Sequence, residues 1–270
     1  SVPIPVYAEM SSINPVVLLP TALDARAEAL GAAFIGSLTM GAGQFCTNPG
    51  LVIALDSPAL DRFVVAASAA LSAMEPSVML TPGIHAAFGA GVAALEGLDL
   101  VTHAASGQAS TEPNRCSGRL FQTTDAAFVA DKTLGHEIFG ASAIIVRCSS
   151  LDAMISVIAS LEGQLTATLQ RDADDEATAA MLLPLLAGKV GRVLANGWPT
   201  GVEVTHAMVH GGPFPSTSDG RTTSVGTLAM VRFLRPVCYQ DIPDALLPPP
   251  VQAGNPWRVP RRVDGQRETN

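Results

Sequence analysis

Short, wholly apolar runs alternate along this chain with longer stretches in which apolar residues return every three or four positions. Val16-Val17-Leu18-Leu19, closed by Pro20, has the length and flanks of a buried strand. After it, Thr21 is placed to cap a helix whose stripe is Leu23, Ala27, Leu30 and Phe34, running down to Gly41-Ala42-Gly43. Leu51-Val52-Ile53-Ala54-Leu55 reads as a second strand. A helix opening at Ser57-Pro58 follows, with Leu60, Phe63, Val64, Ala67, Leu71 and Met74 on one face. Thr81-Pro82 opens another, carrying Ile84, Phe88, Val92 and Leu95. Residues 104–118 are polar and read as a loop. Ala143-Ile144-Ile145-Val146 and Arg192-Val193-Leu194-Ala195 read as strands, and 151–161 and 174–186 as helices. This alternation predicts an α/β fold with at least a partly parallel sheet. No internal repeat is visible.

Two stretches break the pattern. Residues 197–219 are rich in Gly, Pro, Thr and Ser without a period, and so long an irregular segment in a compact domain is usually functional. From Pro236 onward, Leu247-Pro248-Pro249-Pro250 and a charged end predict an extended arm.

Composition narrows the possibilities. The 270 residues are 48% hydrophobic and 15% charged, enough apolar material for a large core. The net charge is −8, and Lys132 and Lys189 are the only lysines, so a nucleic-acid footprint is not expected. No apolar run reaches the roughly 18 residues of a membrane span. No secretory signal pattern precedes the first strand, and without an initiator Met the natural start is expected upstream of Ser1. The four cysteines, Cys46, Cys116, Cys148 and Cys238, lack the CxxC spacing of a zinc ribbon or redox pair. Reduced thiols in a cytoplasmic protein are expected, with Cys116, Cys148 and Cys238 as small buried hydrophobes.

The candidate chemistry is sparse. Gly41-Ala42-Gly43-Gln44-Phe45-Cys46-Thr47 lies between a helix and a strand, where glycines would leave the thiol accessible to attack a carbonyl, with its own N–H facing the oxyanion. On the glycines alone, a loop cysteine of no consequence is the simpler reading. Glu9, at the end of a first strand, could have a raised pKa among apolar and hydroxyl neighbours and serve as a general base; a surface glutamate is the plainer alternative. His206 and His210 have the i, i+4 spacing of zinc ligands, but no glutamate adjoins the first, and Gly211-Gly212-Pro213 ends any helix, so no metal is expected. Gly89-Ala90-Gly91-Val92-Ala93-Ala94 matches a dinucleotide fingerprint only formally, since it lies inside a helical pattern.

Taken together, three motifs weigh more than each alone. Glu9 with Ser-Ser-Ile-Asn-Pro, then Gly43-Gln44-Phe45-Cys46-Thr47-Asn48-Pro49-Gly50, then Glu137-Ile138-Phe139-Gly140 resemble, in order and spacing, those of the aldehyde dehydrogenase superfamily. The resemblance runs from about Tyr7 to Tyr239. Gly197-Trp198-Pro199-Thr200-Gly201-Val202-Glu203-Val204, the stretch His206 to Pro215, and Arg232-Phe233-Leu234-Arg235-Pro236-Val237-Cys238-Tyr239-Gln240 look like its 2-oxoglutarate semialdehyde dehydrogenase branch.

The resemblance implies the catalytic domain of that fold over residues 1–235, a mostly parallel twisted sheet flanked by helices, with an oligomerisation arm over 236–270. It implies Cys46 as the nucleophile that forms a thiohemiacetal and then a thioester, and Glu9 as the base for hydrolysis. Glu137 and Phe139 would hold the nicotinamide side of NAD or NADP, Phe45 would line the aldehyde tunnel, and Phe214 is a second candidate for it. The family's N-terminal Rossmann-like half has no counterpart here, so the chain resembles half of a longer enzyme, a dimer or tetramer when complete and inactive alone. Ser11-Ser12 replace the two glycines usual after the glutamate, and Ala141 replaces a proline. A 2-oxo dicarboxylate product implies a cationic anchor, with Arg115, Arg119 and Arg221 as candidates that the sequence does not separate. The alternatives are another aldehyde (succinate semialdehyde or a fatty aldehyde), a cysteine hydrolase pairing Cys46 with His85, His103 or His136, and an inactive truncated interaction domain.

Overall fold

The computed structural model describes residues 3–268. Residues through Ala229 form one compact unit, and a smaller one begins at Met230. In chain order the first unit contains β1 (Pro15–Leu18), α1 (Pro20–Thr39), β2 (Leu51–Leu55), α2 (Pro58–Ser72), β3 (Ser77–Val78), α3 (Pro82–Glu96), β4 (Thr102–Ser106), β5 (Arg115–Cys116), β6 (Arg119–Thr124), α4 (Asp125–Ala130), β7 (Ser142–Cys148), α5 (Leu151–Ser160), β8 (Gln164–Gln170), α6 (Glu176–Ala187) and β9 (Val190–Ala195). Among the described residues, seven of these strands make one sheet in the order β4-β6-β7-β2-β1-β8-β9. Every neighbouring pair is parallel except β4–β6 at one edge.

Helices cover both faces, so the central strands are apolar on both sides. Val16, Leu18, Val52, Ala54 and Ile145 face α1 and α2, burying Leu23, Leu30, Phe34, Phe63 and Leu71. The alternate residues, Val17, Ile53, Ile144 and Val146, face Phe88, Val157, Leu182 and Leu186 of α3, α5 and α6. The predicted stripe of α1 is buried, as are Leu60, Phe63, Ala67 and Leu71 of α2 and Phe88, Val92 and Leu95 of α3; Val64 and Ile84 are half-buried, and Met74 is exposed beyond the end of α2. Ser57 and Thr81 cap α2 and α3 by accepting from Leu60 N and Ile84 N.

Close approach of α1 to α2 depends on Gly31. A Cβ there would stand 2.7 Å from the Phe63 carbonyl oxygen and 2.9 Å from the Ala67 nitrogen, both backbone atoms that cannot swing aside. Gly31→Ala should therefore force the helices apart and lower stability by about 1–3 kcal/mol, measurable by urea unfolding, despite alanine's better helix propensity.

Several expectations need correction. Helix α1 begins at Pro20, and Thr21 does not cap it; its first free N–H groups, on Thr21 and Ala22, donate to the Asp175 carboxylate at 2.9 and 3.0 Å. The expected loop over 104–118 contains the end of β4 and all of β5. Strands β6 and β8 were not anticipated, and β8 is buried throughout although its sequence is Gln-Leu-Thr-Ala-Thr-Leu-Gln. Glu9 is not at the end of a regular strand; it makes one isolated antiparallel bridge with Thr217. Gly89 and Gly91 lie inside α3, where only Gly91 packs closely, against Ile138.

In the second unit the charged end forms a short hairpin: β10 (Arg262–Val263) pairs with β11 (Gln266–Arg267). Positive φ at Asp264 and Gly265 makes the turn, and Arg261 pairs with Glu268 at 2.6 Å. Cys238, expected to be buried, is exposed; Cys116 and Cys148 are buried, and all four thiols are free. Among the described residues no helix is long and apolar enough to cross a membrane.

Candidate active site

The site gathers at the strand ends where three irregular segments meet: 9–14 before β1, 40–50 between α1 and β2, and 206–224 after β9. Gly41, Ala42 and Gly43 all take positive φ, which ends α1 and turns the chain toward Cys46. Gly43 is required for a second reason. A Cβ there would fall 2.2 Å from backbone atoms of Gly140 and Ala141, so its absence lets the Cys46 loop lie against the loop carrying Glu137 and Phe139.

Beneath Cys46 lies a buried polar clamp. Asn14, fully buried with φ 48°, donates through Nδ2 to the carbonyls of Cys46 and Asn48, each at 2.9 Å. Its Oδ1 accepts from the Ser12 hydroxyl and from the Thr166 N–H and hydroxyl. Gln164 Oε1 accepts from Ile13 N at 2.6 Å and Ser12 Oγ at 3.0 Å. Gln164 and Thr166 of β8 thus hold the 12–14 segment from which Asn14 reaches the Cys46 loop. They also explain the serines where glycines were expected: Ser12 belongs to this clamp, and the Ser11 side chain bonds Glu137. Asn14→Ala would leave the Cys46 and Asn48 carbonyls without this donor and strain a left-handed backbone. We expect a loss of about 2–4 kcal/mol in denaturant unfolding and slower alkylation of Cys46.

Cys46, Glu9 and His210 converge. Cys46 Sγ is 3.3 Å from His210 Nε2, and the same nitrogen is 2.9 Å from Glu9 Oε2. The sulfur, the nitrogen and the carboxylate oxygen all lie within 4.8 Å of one another, close enough for one soft cation to touch all three. His210 is buried and fixed by its backbone: its N–H donates to Thr223 Oγ1 at 2.8 Å, and its carbonyl accepts from Ser224 N at 2.9 Å. Glu9 is tied to the same loop through Met10 N to Ser216 O and Ser218 N to Ala8 O.

The electrostatics reverse one expectation. The hydrogen bond from His210 holds the Glu9 carboxyl below its ordinary value, against partial burial, so it is not raised. Hydrogen bonds with Cys46 and Glu9 lift the imidazole to about 9. Burial pushes up a different carboxyl, that of Glu137, opposed by bonds from the Ser11 side chain and the Ser12 backbone. Glu137 and Phe139 line a small cavity with Ser12, Gly43 and Asn48, while Phe45 is half-buried beside Gly41. Phe214 is 76% exposed.

Sequence reasoning missed two residues. His210 had been weighed only as half of a zinc pair, and His85, His103 and His136 were the histidines considered for Cys46. In the structure His206 instead bonds Thr227, and His85 and His103 bond Arg115 O and Ser106. Arg192 is the second. It is half-buried on β9, close enough to Cys46 to feel that group's charge, and it donates to the carbonyls of Pro199 and Gly201. The three arginines considered earlier pair with Glu112, Glu96 and Asp219. The irregular composition of 197–219 pointed toward His210, and nothing in the sequence separated Arg192 from the strand that carries it.

No family model matches the chain. It is 55% identical over 266 residues to alpha-ketoglutaric semialdehyde dehydrogenase 2 of Azospirillum brasilense, covering 98% of this chain and 51% of that one. It is 46% identical over 264 residues to the alpha-ketoglutaric semialdehyde dehydrogenase of Acinetobacter baylyi, covering 97% and 50%. The chain thus spans about half the length of the curated relatives it matches. Among solved structures, proline utilization A of Bdellovibrio bacteriovorus superposes with a TM-score of 0.71 at 22% identity, covering 86% of this chain and 24% of that one. The Delta-pyrroline-5-carboxylate dehydrogenase of Mycobacterium tuberculosis gives 0.69 at 16% identity, covering 87% and 46%. These two speak for the fold. With the three motifs now placed around one site on that fold, the chain is similar over nearly its whole length to one half of aldehyde dehydrogenases.

Proposed function

We propose that the chain is the catalytic half of an NAD(P)+-dependent aldehyde dehydrogenase that oxidises 2-oxoglutarate semialdehyde to 2-oxoglutarate. The observation that carries this reading is the convergence of Cys46 Sγ and the Glu9 carboxylate on one exposed strand-end site. Residues 1–235 would form the catalytic domain and 236–270 the oligomerisation arm of a soluble, cytoplasmic enzyme.

Cys46, as thiolate, adds to the aldehyde carbon, and the carbonyl π electrons move onto oxygen to give a thiohemiacetal. Capture fixes the reacting C–H and divides the oxidation into two steps. Loss of hydride from that carbon leaves a thioester on Cys46. The nicotinamide group, when bound, supplies the hydride acceptor. Glu9 then removes a proton from water as the oxygen attacks the thioester carbon; the C–S bond breaks, the sulfur leaves as thiolate, and the acid is released. A carboxylate held ionised is ready to take that proton.

The residues offered for the cofactor fit such a group. Glu137 gives a carboxylate acceptor and Phe139 a 40%-exposed ring, and the buried Asn48 Oδ1 in the same cavity wall has no partner. Glu137 and Phe139 would hold the nicotinamide side, Phe45 would line the aldehyde path, and Phe214 remains a candidate for its mouth. The adenosine side would be held outside the half of the relatives' length that residues 1–270 match, so these residues by themselves should not turn over.

Arg192 favours a carboxylate-bearing aldehyde. It is a half-buried guanidinium near the nucleophile, with no salt bridge among the described residues and its Nε unpartnered. In the complete reading frame, Arg192→Gln should lower kcat/KM for 2-oxoglutarate semialdehyde by about tenfold or more and leave a neutral aldehyde nearly unchanged. The test of the function is a panel of 2-oxoglutarate semialdehyde, succinate semialdehyde and a long-chain aldehyde, compared by kcat/KM. Preference for the first supports the reading; turnover favouring another keeps the chemistry and removes the substrate.

A further inference from the structure

Aldehyde oxidation through a cysteine and a glutamate needs no histidine, yet here a buried imidazole touches both. His210 is only 5% exposed, and one of its nitrogens, Nε2, makes both contacts, to Cys46 Sγ at 3.3 Å and to Glu9 Oε2 at 2.9 Å. The other nitrogen, Nδ1, is buried with no hydrogen-bond partner. In a nucleophile–histidine–acid relay the acid holds one ring nitrogen and the nucleophile the other, which frees the second to take a proton. That division of labour is absent at this site.

The arrangement fixes where the ring's proton lies. A neutral imidazole protonated on Nδ1 would bury an unsatisfied N–H and leave Nε2 as a bare acceptor facing a carboxylate. Protonated on Nε2, it leaves only an unused lone pair at Nδ1 and gives Glu9 and Cys46 a donor. A charged imidazole also carries a proton on Nε2. A nitrogen that already holds its proton cannot accept one from the thiol.

We propose that His210 is a shared N–H donor for the nucleophile and the carboxylate, and not the base that deprotonates Cys46. With Cys46 free, Nε2–H stabilises negative charge on sulfur. Once the sulfur is acylated and neutral, the same N–H is left to Glu9 and holds the carboxylate toward the thioester. One of the two acceptors loses its charge as its electron pair enters the C–S bond, the carboxylate keeps its own, and the donor stays in place. This assignment rests on Cys46 as nucleophile and Glu9 as hydrolytic base, and it adds a third group to their reaction.

The test uses the chain itself and no turnover. Iodoacetamide labelling of Cys46 at pH 7 is followed by peptide mass spectrometry, with the exposed Cys238 as internal reference. Relative to the unsubstituted chain, His210→Ala should slow Cys46 labelling by about tenfold or more, as loss of a hydrogen bond to a charged group implies. His210→Gln, whose amide N–H can reach the place of Nε2 but cannot take a proton near neutral pH, should recover most of that loss. Equal slowing in both variants would overturn the proposal in favour of a base, and no slowing in the alanine variant would remove His210 from the chemistry altogether.

A second measurement does not depend on the variants folding. The 15N spectra of histidine-labelled, unsubstituted chain, followed upward in pH past the imidazole's raised value of about 9, should show the neutral His210 ring protonated on Nε2; a neutral ring protonated on Nδ1 would overturn the proposal. Absence of dehydrogenase activity in the complete reading frame would count against the proposed function while leaving both of these readouts in force.

Discussion

Replacing Cys46 with serine in the complete reading frame should reduce aldehyde oxidation by on the order of 10⁴-fold or more, with the fold intact. Sulfur is the atom that forms and breaks the covalent bond in both steps, and a serine hydroxyl at this place has little alkoxide character. The loop itself should survive. Asn14 holds the Cys46 backbone carbonyl, not the thiol, and Gly43 sets the approach to Gly140. Melting temperature and circular dichroism should therefore stay near those of the unsubstituted protein while kcat collapses. A variant retaining even a hundredth of the activity would show that Cys46 is not the nucleophile.

Glu9→Gln should have a different signature. The amide keeps the shape and can still accept a hydrogen bond from His210, but it cannot take a proton from water. Acylation and hydride loss precede that need, so a first turnover of reduced nicotinamide should appear as a burst. The steady-state rate afterwards should be lower by about 10²–10⁴-fold. The two substitutions thus separate the steps: no burst for Cys46→Ser, a burst without sustained turnover for Glu9→Gln. If Glu9→Gln also removed the burst, the carboxylate would be acting before the thioester exists, most simply by taking the thiol proton.

What the sequence made legible was the part of the fold written in apolar periodicity. Val16-Val17-Leu18-Leu19 and the stripe Leu23, Ala27, Leu30, Phe34 became β1 and the buried face of α1 because both neighbours of a doubly covered parallel sheet must be apolar. Strand β8 was hidden for the opposite reason. Gln164 and Thr166 are polar in a wholly buried strand because Ser12, Ile13 and Asn14 meet them there, contacts more than a hundred residues apart in sequence. The start of α1 is a similar case, capped by Asp175 from across the fold.

The candidate site divides the same way. Cys46 and Glu9 were found through motifs whose order along the chain is visible. His210 was in view but paired with the wrong partner. A spacing of four suggests a shared helical face, and the glycines that follow deny the helix, after which nothing local says that residue 210 returns to residue 46. Its place is set by the Thr223 and Ser224 bonds and by the pairing of the Glu9 segment with residues 216–218. The direction of the Glu9 shift followed from that missing neighbour: a carboxylate among apolar groups is raised, whereas one receiving an imidazole N–H is lowered.

The claim on which everything else hangs is a covalent acyl group on Cys46 that Glu9 is needed to remove. It is tested most directly by mixing the Glu9→Gln variant of the complete reading frame with NAD(P)+ and 2-oxoglutarate semialdehyde, quenching in acid and weighing the peptide that carries Cys46. The account predicts a stoichiometric 2-oxoglutaryl thioester on Cys46 that hydroxylamine releases. An unmodified Cys46 after a full burst of reduced nicotinamide, or an acyl group on any other residue, would contradict it.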